Sequence, residues 1–171
     1  PHAMNCYAVM LHEGKAIKPN HKEEEHYLKL AIEKGNVIAM KNYGNCLYKG
    51  DGYPVDKIKG LKYLKMAADN GFIYACYLYA FYLYNYHDIQ VSYEEIGQYF
   101  KKAANNDIAD ANYYYGLMLE NKEIECTDAY ESYEYFVKAA SKGHELAKKK
   151  VESGIKMPNG YTIKIPQQIE L

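Results

Sequence analysis

A pattern of small, aromatic and aliphatic positions recurs every 36 residues along this chain of 171 residues. Within one period, an alanine, a tyrosine and a leucine follow one another at steps of four, which places them on one face of a helix. Further along, a tyrosine with a bulky neighbour precedes another alanine by four residues, which predicts a second helix. The positions in phase are Ala3, Ala39, Ala75, Ala111 and Ala147; Tyr7, Tyr43, Tyr79 and Tyr115; Leu11, Leu47, Leu83 and Leu119; Tyr27, Tyr63, Tyr99 and Tyr135; and Ala31, Ala67, Ala103 and Ala139. The chain is therefore predicted to be an all-α tandem array of helix pairs.

Residues that favour helix ends mark both ends of each second helix. The predicted N-caps are Asn20, Asp56, Ser92 and Asp128, and a glutamate three residues later completes a capping box in three of the four units, at Glu23, Glu95 and Glu131. The helices are expected to end with a left-handed residue at Gly35, Gly71, Asp107 and Gly143. A small residue after each first-helix tyrosine, such as Gly44, lets the neighbouring helix approach closely.

The period divides the chain into units near residues 1–36, 37–72, 73–108 and 109–144. Residues 145–154 are polar and predict a capping helix, so that residues 1–154 form one repeat domain. Residues 155–171 form a C-terminal tail with an extended pattern over residues 161–165. This tail offers a route to self-association, and the alternative is a loosely ordered terminus.

The second unit resembles a Sel1-like repeat, a relative of the tetratricopeptide repeat. The resemblance rests on Ala39, Tyr43-Gly44, Leu47-Tyr48, Gly50-x-Gly52, Lys59-Gly60, Tyr63, Ala67-Ala68 and Gly71. It extends over residues 3 to about 154, although the third and fourth units lack the Gly-x-Gly loop. The resemblance implies a right-handed α-solenoid of antiparallel helix pairs, and a non-enzymatic adaptor that assembles other proteins.

The resemblance also implies that the first helix of each unit faces the concave side of the solenoid. Helix geometry then gives the positions beside the core stripe. The candidate partner-binding residues are Ile38, Lys41, Asn45, Tyr48, Tyr74, Tyr77, Phe81, Tyr84, Tyr113 and Leu117. They predict a tyrosine-rich groove for an extended or helical segment of a partner protein. The alternative is that these rings pack against the next helix.

Composition and short motifs indicate which partners and which reactions are not expected of this chain. The net charge is −1 and all 21 basic residues are lysine, so neither a nucleic-acid partner nor a bidentate arginine clamp is expected. Ser153-Gly154-Ile155-Lys156 matches S-x-x-K by letter and leaves a serine hydrolase as an alternative, but the partner motifs S-D-N and K-T-G are absent. No catalytic residue and no cofactor are predicted.

Metal binding and membrane insertion are not predicted either. His21 and His26 are five residues apart, a spacing that does not place both rings on one helix face, and the other histidines are scattered. The four cysteines form no C-x-x-C motif and are expected to be free thiols. With no signal peptide and no span-length apolar segment, the sequence favours the cytoplasm. A segment of a longer repeat protein remains a further interpretation.

Overall fold

The computed structural model describes residues 1–14, 17–86, 89–126, 129–156 and 162–163. Within these residues the chain forms nine helices and one pair of very short strands. The helices are α1 (His2–Glu13), α2 (His21–Glu33), α3 (Val37–Lys49), α4 (Lys57–Asp69), α5 (Ile73–Asn85), α6 (Tyr93–Ala104), α7 (Ala109–Glu120), α8 (Ala129–Ser141) and α9 (Glu145–Ser153). The all-helical expectation is confirmed, and α9 lies where the capping helix is predicted.

Two compact units divide the chain, Pro1–Tyr79 and Ala80–Leu171. In the first unit, α1 packs on α2, α2 on α3 and α3 on α4. In the second unit, α6 packs on α7, α7 on α8 and α8 on α9. Helix α5 contains the division between the units, and each of its halves belongs to the unit on its own side.

The α3–α4 pair is antiparallel. The backbone N–H of Asp56, just before α4, donates to the carbonyl of Leu47 at the end of α3, at 2.9 Å. Earlier in α3 and later in α4, the rings of Tyr43 and Tyr63 lie 5.0 Å apart. The expected antiparallel helix pair is therefore present here, closed at the loop by a main-chain hydrogen bond.

The predicted helix ends follow local side-chain chemistry. Asn20, Asp56 and Ser92 each accept a hydrogen bond from the backbone N–H three residues later, as N-caps do. The residues predicted to follow the second helices have positive φ, namely Gly35 (76°), Gly71 (86°), Asp107 (67°) and Gly143 (86°). Asp107 tolerates this conformation because its short polar side chain is among the few that visit it. The predicted N-cap Asp128 lies outside the described residues.

The capping box at Asn20 differs from its prediction in one half. The Glu23 carboxylate accepts from the Asn20 side-chain amide at 3.1 Å, not from its backbone N–H. That N–H donates instead to the carbonyl of Leu11, at 3.2 Å. The predicted bond from the Asn20 backbone N–H to the Glu23 side chain is therefore absent, because the Leu11 carbonyl at the end of α1 already accepts from this N–H.

Each unit has its own core of alanines and large aromatic side chains. In the first unit, Tyr43 is fully buried among alanines and leucines of α1, α2 and α3. In the second unit, Tyr113 and Phe136 pack with Ala139, Ala140 and Ala147. The alanines leave room for the rings, so the sequence stripe corresponds to the buried helix faces.

The tail contributes one pair of short strands. β1 (Ile155–Lys156) pairs antiparallel with β2 (Thr162–Ile163), with Ile155 opposite Ile163. β2 lies within the segment predicted to be extended. The rest of that segment, residues 161, 164 and 165, lies outside the described residues. Over the described ranges, none of the helices combines the length and the apolar character needed to cross a bilayer.

Candidate functional site

Four of the candidate residues line one face of α3, here called the α3 face: Ile38, Lys41, Asn45 and Tyr48. All four are half-buried, whereas Ala39, Met40, Tyr43, Gly44, Cys46 and Leu47 are buried. The helix therefore uses one side for the core of the first unit and leaves a second side partly accessible. This second side presents apolar, aromatic, amide and cationic groups.

Lys41 is the charged group of the α3 face. Its ammonium donates to Oδ1 of Asn42 at 2.6 Å, and the amide of Asn42 in turn donates to Oδ1 of the buried Asn5 at 3.0 Å. Burial holds the pKa of Lys41 below its ordinary value. Among the described residues, no carboxylate lies within ion-pair distance of this ammonium. The α3 face thus holds a partly desolvated cation that an incoming carboxylate would stabilise.

Two candidate tyrosines on the first turns of α5 differ sharply in exposure. Tyr74 is 47% exposed, whereas Tyr77 is 8% exposed, although their ring centroids are only 5.7 Å apart. Tyr74 offers aromatic surface to solvent, as the groove hypothesis requires. Tyr77 has little surface left to offer, so the packing alternative describes it better.

In the second unit, Phe81 and Tyr84 belong to an aromatic cluster. Both rings contact Tyr114, at centroid distances of 5.3 and 6.0 Å, and Tyr114 stacks on Phe100 at 5.5 Å. The phenol of Tyr84 donates to the Glu123 carboxylate, with oxygen separations of 3.1 and 3.3 Å. Burial and the charge of Glu123 raise the pKa of Tyr84 to about 12. Both side chains are half-buried, and most of their described contacts serve packing.

The last two candidates lie on α7. Tyr113 is 9% exposed, and its ring stacks on His144 at a centroid distance of 4.3 Å. Leu117 is half-buried against the core around Phe136. His144 also caps α9, because its Nδ1 accepts from the backbone N–H of Ala147 at 3.2 Å. Tyr113 therefore helps to hold the capping helix.

A cluster of titratable side chains in the first unit was not expected from the sequence. Nδ1 of His12 lies 3.1 Å from Oε1 of Glu24, and Nδ1 of His21 lies 2.9 Å from Oε2 of the same carboxylate. Nε2 of His12 lies 3.3 Å from Oδ2 of Asp51. The cluster joins the end of α1, the first turn of α2 and the loop after α3. His26, five residues after His21, is exposed elsewhere on α2, as their spacing predicts.

One cysteine and one tyrosine side chain lie beside this cluster. Cys46 is buried, and its pKa is raised to about 12 by burial and by the charges of Glu24 and Asp51. The hydroxyl of Tyr53 is buried and makes no hydrogen bond to the described residues. Burial and the nearby Glu24 charge raise its pKa. All of these groups belong to the unit Pro1–Tyr79.

The serine of the S-x-x-K sequence is occupied in a local hydrogen bond. Ser153 is exposed at the last turn of α9, and its hydroxyl donates to the carbonyl of Lys150 at 2.7 Å. The side chain of Lys156 lies outside the described part of the structure. Nothing in the described geometry activates this serine as a nucleophile.

Consecutive helix pairs with a 36-residue period, capped at equivalent positions, define a helical-repeat protein. The chain belongs to the Sel1 repeat family. The family model, described as Sel1 repeat, matches residues 1–36, 37–72 and 109–144, which together form more than half of the chain. These matches leave out residues 73–108, which contain α5 and α6.

A solved structure of a Sel1 repeat protein agrees with this family. The chain is similar to a Sel1 repeat protein from Oxalobacter formigenes, with 25% identity and a TM-score of 0.78 over 88% of this chain and 44% of that one. It is also similar to a protective antigen of uropathogenic Escherichia coli with an SLR fold, with 19% identity and a TM-score of 0.45 over 98% of this chain and 44% of that one. The chain thus spans less than half the length of either protein. A comparison with curated proteins gives no significant match.

Proposed function

We propose that the chain is a non-enzymatic protein-interaction module that binds a segment of a partner protein on its first-helix surfaces. Sel1 repeat proteins generally mediate protein–protein interactions, and membership of that family supports this class of function. The observation that carries the proposal is the α3 face. Its four residues are half-buried while the neighbouring positions form the core, so this face is accessible without unfolding the unit.

The chemistry of the α3 face favours a partner segment with apolar side chains and at least one carboxylate. Ile38 and Tyr48 supply apolar and aromatic contact, and Tyr74 occupies the position of Ile38 one period later. Lys41 supplies a cation whose pKa burial lowers, so a partner carboxylate would form a partly desolvated ion pair with it. Asn45 adds an amide that can bond a partner backbone.

Two further features of the chain enter the proposal. We assign residues 73–108 as a divergent repeat, because α5 and α6 repeat the helix pattern, with Ser92 as N-cap and Asp107 in the left-handed conformation. We also assign the module to a reducing compartment such as the cytoplasm, since Cys6, Cys46, Cys76 and Cys126 are free thiols.

A comparative pull-down tests the interaction surface. The face variant combines Ile38→Ala, Lys41→Glu and Tyr74→Ala. The matched control combines Val55→Ala, Ile58→Ala and Lys62→Glu, which likewise removes two exposed apolar side chains and reverses one lysine charge, in the loop before α4 and on α4. Circular dichroism and urea unfolding establish that both variants are folded before use.

The proposal expects partners retained by the wild type and the control variant to be lost by the face variant. A charge-only variant, Lys41→Met, should weaken binding more at low salt than at high salt, because screening already removes part of the ion pair. Equal retention by the face variant and the wild type would contradict binding on the α3 face. Loss of the partners by the control variant alone would assign binding to α4 and its preceding loop.

A further inference from the structure

The cluster of His12, His21 and Glu24 is built from separate helices around one buried carboxylate. The side chain of Glu24 is 3% exposed, and each of its oxygens faces the Nδ1 atom of a different imidazole. One ligand atom from each of the three residues lies within 4.8 Å of the other two. A buried carboxylate needs polar partners, and here both partners are imidazoles, a side chain that commonly binds metal ions.

His12 has a carboxylate on both of its nitrogens, Glu24 on one side and Asp51 on the other. A neutral imidazole carries a single N–H and can donate to only one of them. If that N–H lies on Nε2 and donates to Asp51, Nδ1 presents a lone pair toward Glu24. Two acceptors then face each other at 3.1 Å, and a cation between them would satisfy both.

This arrangement matches the way proteins prepare histidine to bind a metal. A ligating imidazole usually donates its second N–H to a carboxylate, which fixes the tautomer and orients the ring. Asp51 occupies that position for His12. With metal–nitrogen distances near 2.0–2.1 Å, tetrahedral ligand atoms lie roughly 3.3 Å apart. The two imidazole nitrogens lie 3.1 and 2.9 Å from different oxygens of Glu24, and one ligand atom from each residue lies within 4.8 Å of the others, so modest side-chain shifts bring them to these distances.

The loop after α3 closes this cluster. A Cβ at Gly52 would lie 2.5 Å from Nδ1 of His21, so only glycine lets the main chain run this close to the ring. The buried hydroxyl of Tyr53 lies beside the same Glu24 carboxylate and helps to enclose the cluster.

We propose that His12, His21 and Glu24 bind one divalent transition-metal ion of the Zn²⁺ type, with Asp51 orienting His12. Two carboxylates and two neutral imidazoles give the site a charge of −2, which matches a divalent cation. Three protein ligands leave a fourth position for water. The ion ties α1, α2 and the loop after α3 together. This role is independent of partner binding on the α3 face.

The test measures Zn²⁺ binding to the metal-stripped full chain by titration calorimetry and records the visible spectrum of the Co²⁺ form. We expect one ion per chain and the absorption bands of tetrahedral Co²⁺. His21→Ala is the most informative variant, because this side chain is 43% exposed and its loss leaves no large cavity. Glu24→Gln keeps the shape of the side chain and removes its charge.

Matched controls separate this site from other histidines. His26→Ala removes an exposed histidine from the same helix, and the double variant His2→Ala, Cys6→Ser removes an exposed pair with Sγ and Nε2 3.7 Å apart. Both controls should bind Zn²⁺ as the wild type does. His21→Ala and Glu24→Gln should weaken binding by more than the roughly 10- to 100-fold expected for Asp51→Asn.

Three results would overturn the proposal. The first is equal affinity of the wild type and His21→Ala for Zn²⁺. The second is loss of binding in the double control variant. The third is loss of binding in Cys46→Ser while His21→Ala still binds. The last result would assign the ion to the neighbouring set of His12, Cys46 and Asp51, whose ligand atoms also lie within 4.8 Å of one another. Absence of any Zn²⁺ binding by the wild type would also overturn the proposal.

Discussion

Gly44 of α3 and Gly60 of α4 lie face to face, with no side chain between the two helices at this point. A Cβ added to Gly44 would lie 2.8 Å from the carbonyl oxygen of Gly60, and a Cβ added to Gly60 would lie 2.7 Å from that of Gly44. Both contacts are with backbone, which cannot move away as a flexible side chain can. The close approach of α3 and α4 therefore depends on glycine at both positions.

Gly44→Ala should destabilise the protein. Alanine favours a helix over glycine by about 1 kcal/mol, but the clash with the Gly60 carbonyl requires the helices to separate, at a cost of about 1–3 kcal/mol. We expect a net loss of about 1 kcal/mol in the free energy of urea unfolding. Gly97→Ala is the control, because the nearest atoms to its Cβ would be side-chain atoms and not backbone, the closest being Cγ2 of Ile124 at 3.1 Å. An equal or larger loss in Gly97→Ala would contradict the argument.

The sequence predicted the close approach at Gly44, although not Gly60 as its partner, because the cause is local and periodic. A small residue follows each first-helix tyrosine, so the place of close approach can be read from the repeat. The N-caps Asn20, Asp56 and Ser92 were predictable for the same reason, since capping depends on residues within one helical turn. The bond from the Asn20 N–H to the Leu11 carbonyl was not, because it joins two helices.

The ionised carboxylate of Glu25 should contribute to the stability of the first unit at neutral pH. Its Oε1 accepts hydrogen bonds from Lys29 at 2.8 Å and from the phenol of Tyr43 at 2.6 Å, and these two bonds hold its pKa below the ordinary glutamate value. A lowered pKa in the folded state means that this contribution is present above about pH 4.5, and is lost as the pH falls through the lower folded-state value.

The matching variant is Glu25→Gln, measured by urea unfolding between pH 7 and pH 3. At neutral pH it should be less stable than the wild type by about 1 kcal/mol. This loss is at the low end of the range for hydrogen bonds to a charged group, because the Glu25 side chain is a third exposed and solvent screens its charge. The difference should shrink below pH 4.5. Glu33→Gln, at an exposed position of the same helix, should show no such trend. A difference that stays constant with pH would contradict the role of the charge.

Tyr74 and Tyr77 should respond differently to truncation, although both lie on the first turns of α5. Tyr77→Ala removes a buried ring and should cost about 3 kcal/mol of unfolding free energy. Tyr74→Ala removes a ring that is 47% exposed and should change stability by about 0.5 kcal/mol or less. Urea unfolding of both variants measures this. Similar losses would mean that Tyr74 is also a packing residue and unsuitable for the face variant.

The exposure of these two tyrosines could not be predicted from the sequence. Both positions lie beside the core stripe of α5, and spacing treats them alike. What differs is the environment that the rest of the fold supplies to each ring. The cluster of His12, His21 and Glu24 was missed for a related reason. Spacing within one helix compares His21 with His26, whereas the structure joins His21 to a residue of α1 through a carboxylate.

Tyr84 should stabilise the second unit through its hydrogen bond to Glu123. Burial and that carboxylate raise its pKa to about 12, so the protonated phenol favours the folded state. Its contribution is complete below pH 10, where an unfolded tyrosine is still protonated, and declines as the pH rises toward 12. Tyr84→Phe should therefore lose about 1 kcal/mol of unfolding free energy at pH 7, and less at pH 11.

Absorbance at alkaline pH gives an independent measurement of the same group. Tyr84→Phe should lack one of the late-ionising phenols that the folded wild type shows above pH 11. Tyr93→Phe is the control, because this neighbouring ring is 45% exposed and its centroid lies 6.4 Å from that of Tyr84. It should keep the late-ionising phenol of Tyr84 and leave stability nearly unchanged. If Tyr84→Phe were as stable as the wild type at pH 7, the bond to Glu123 would merely replace one made to water.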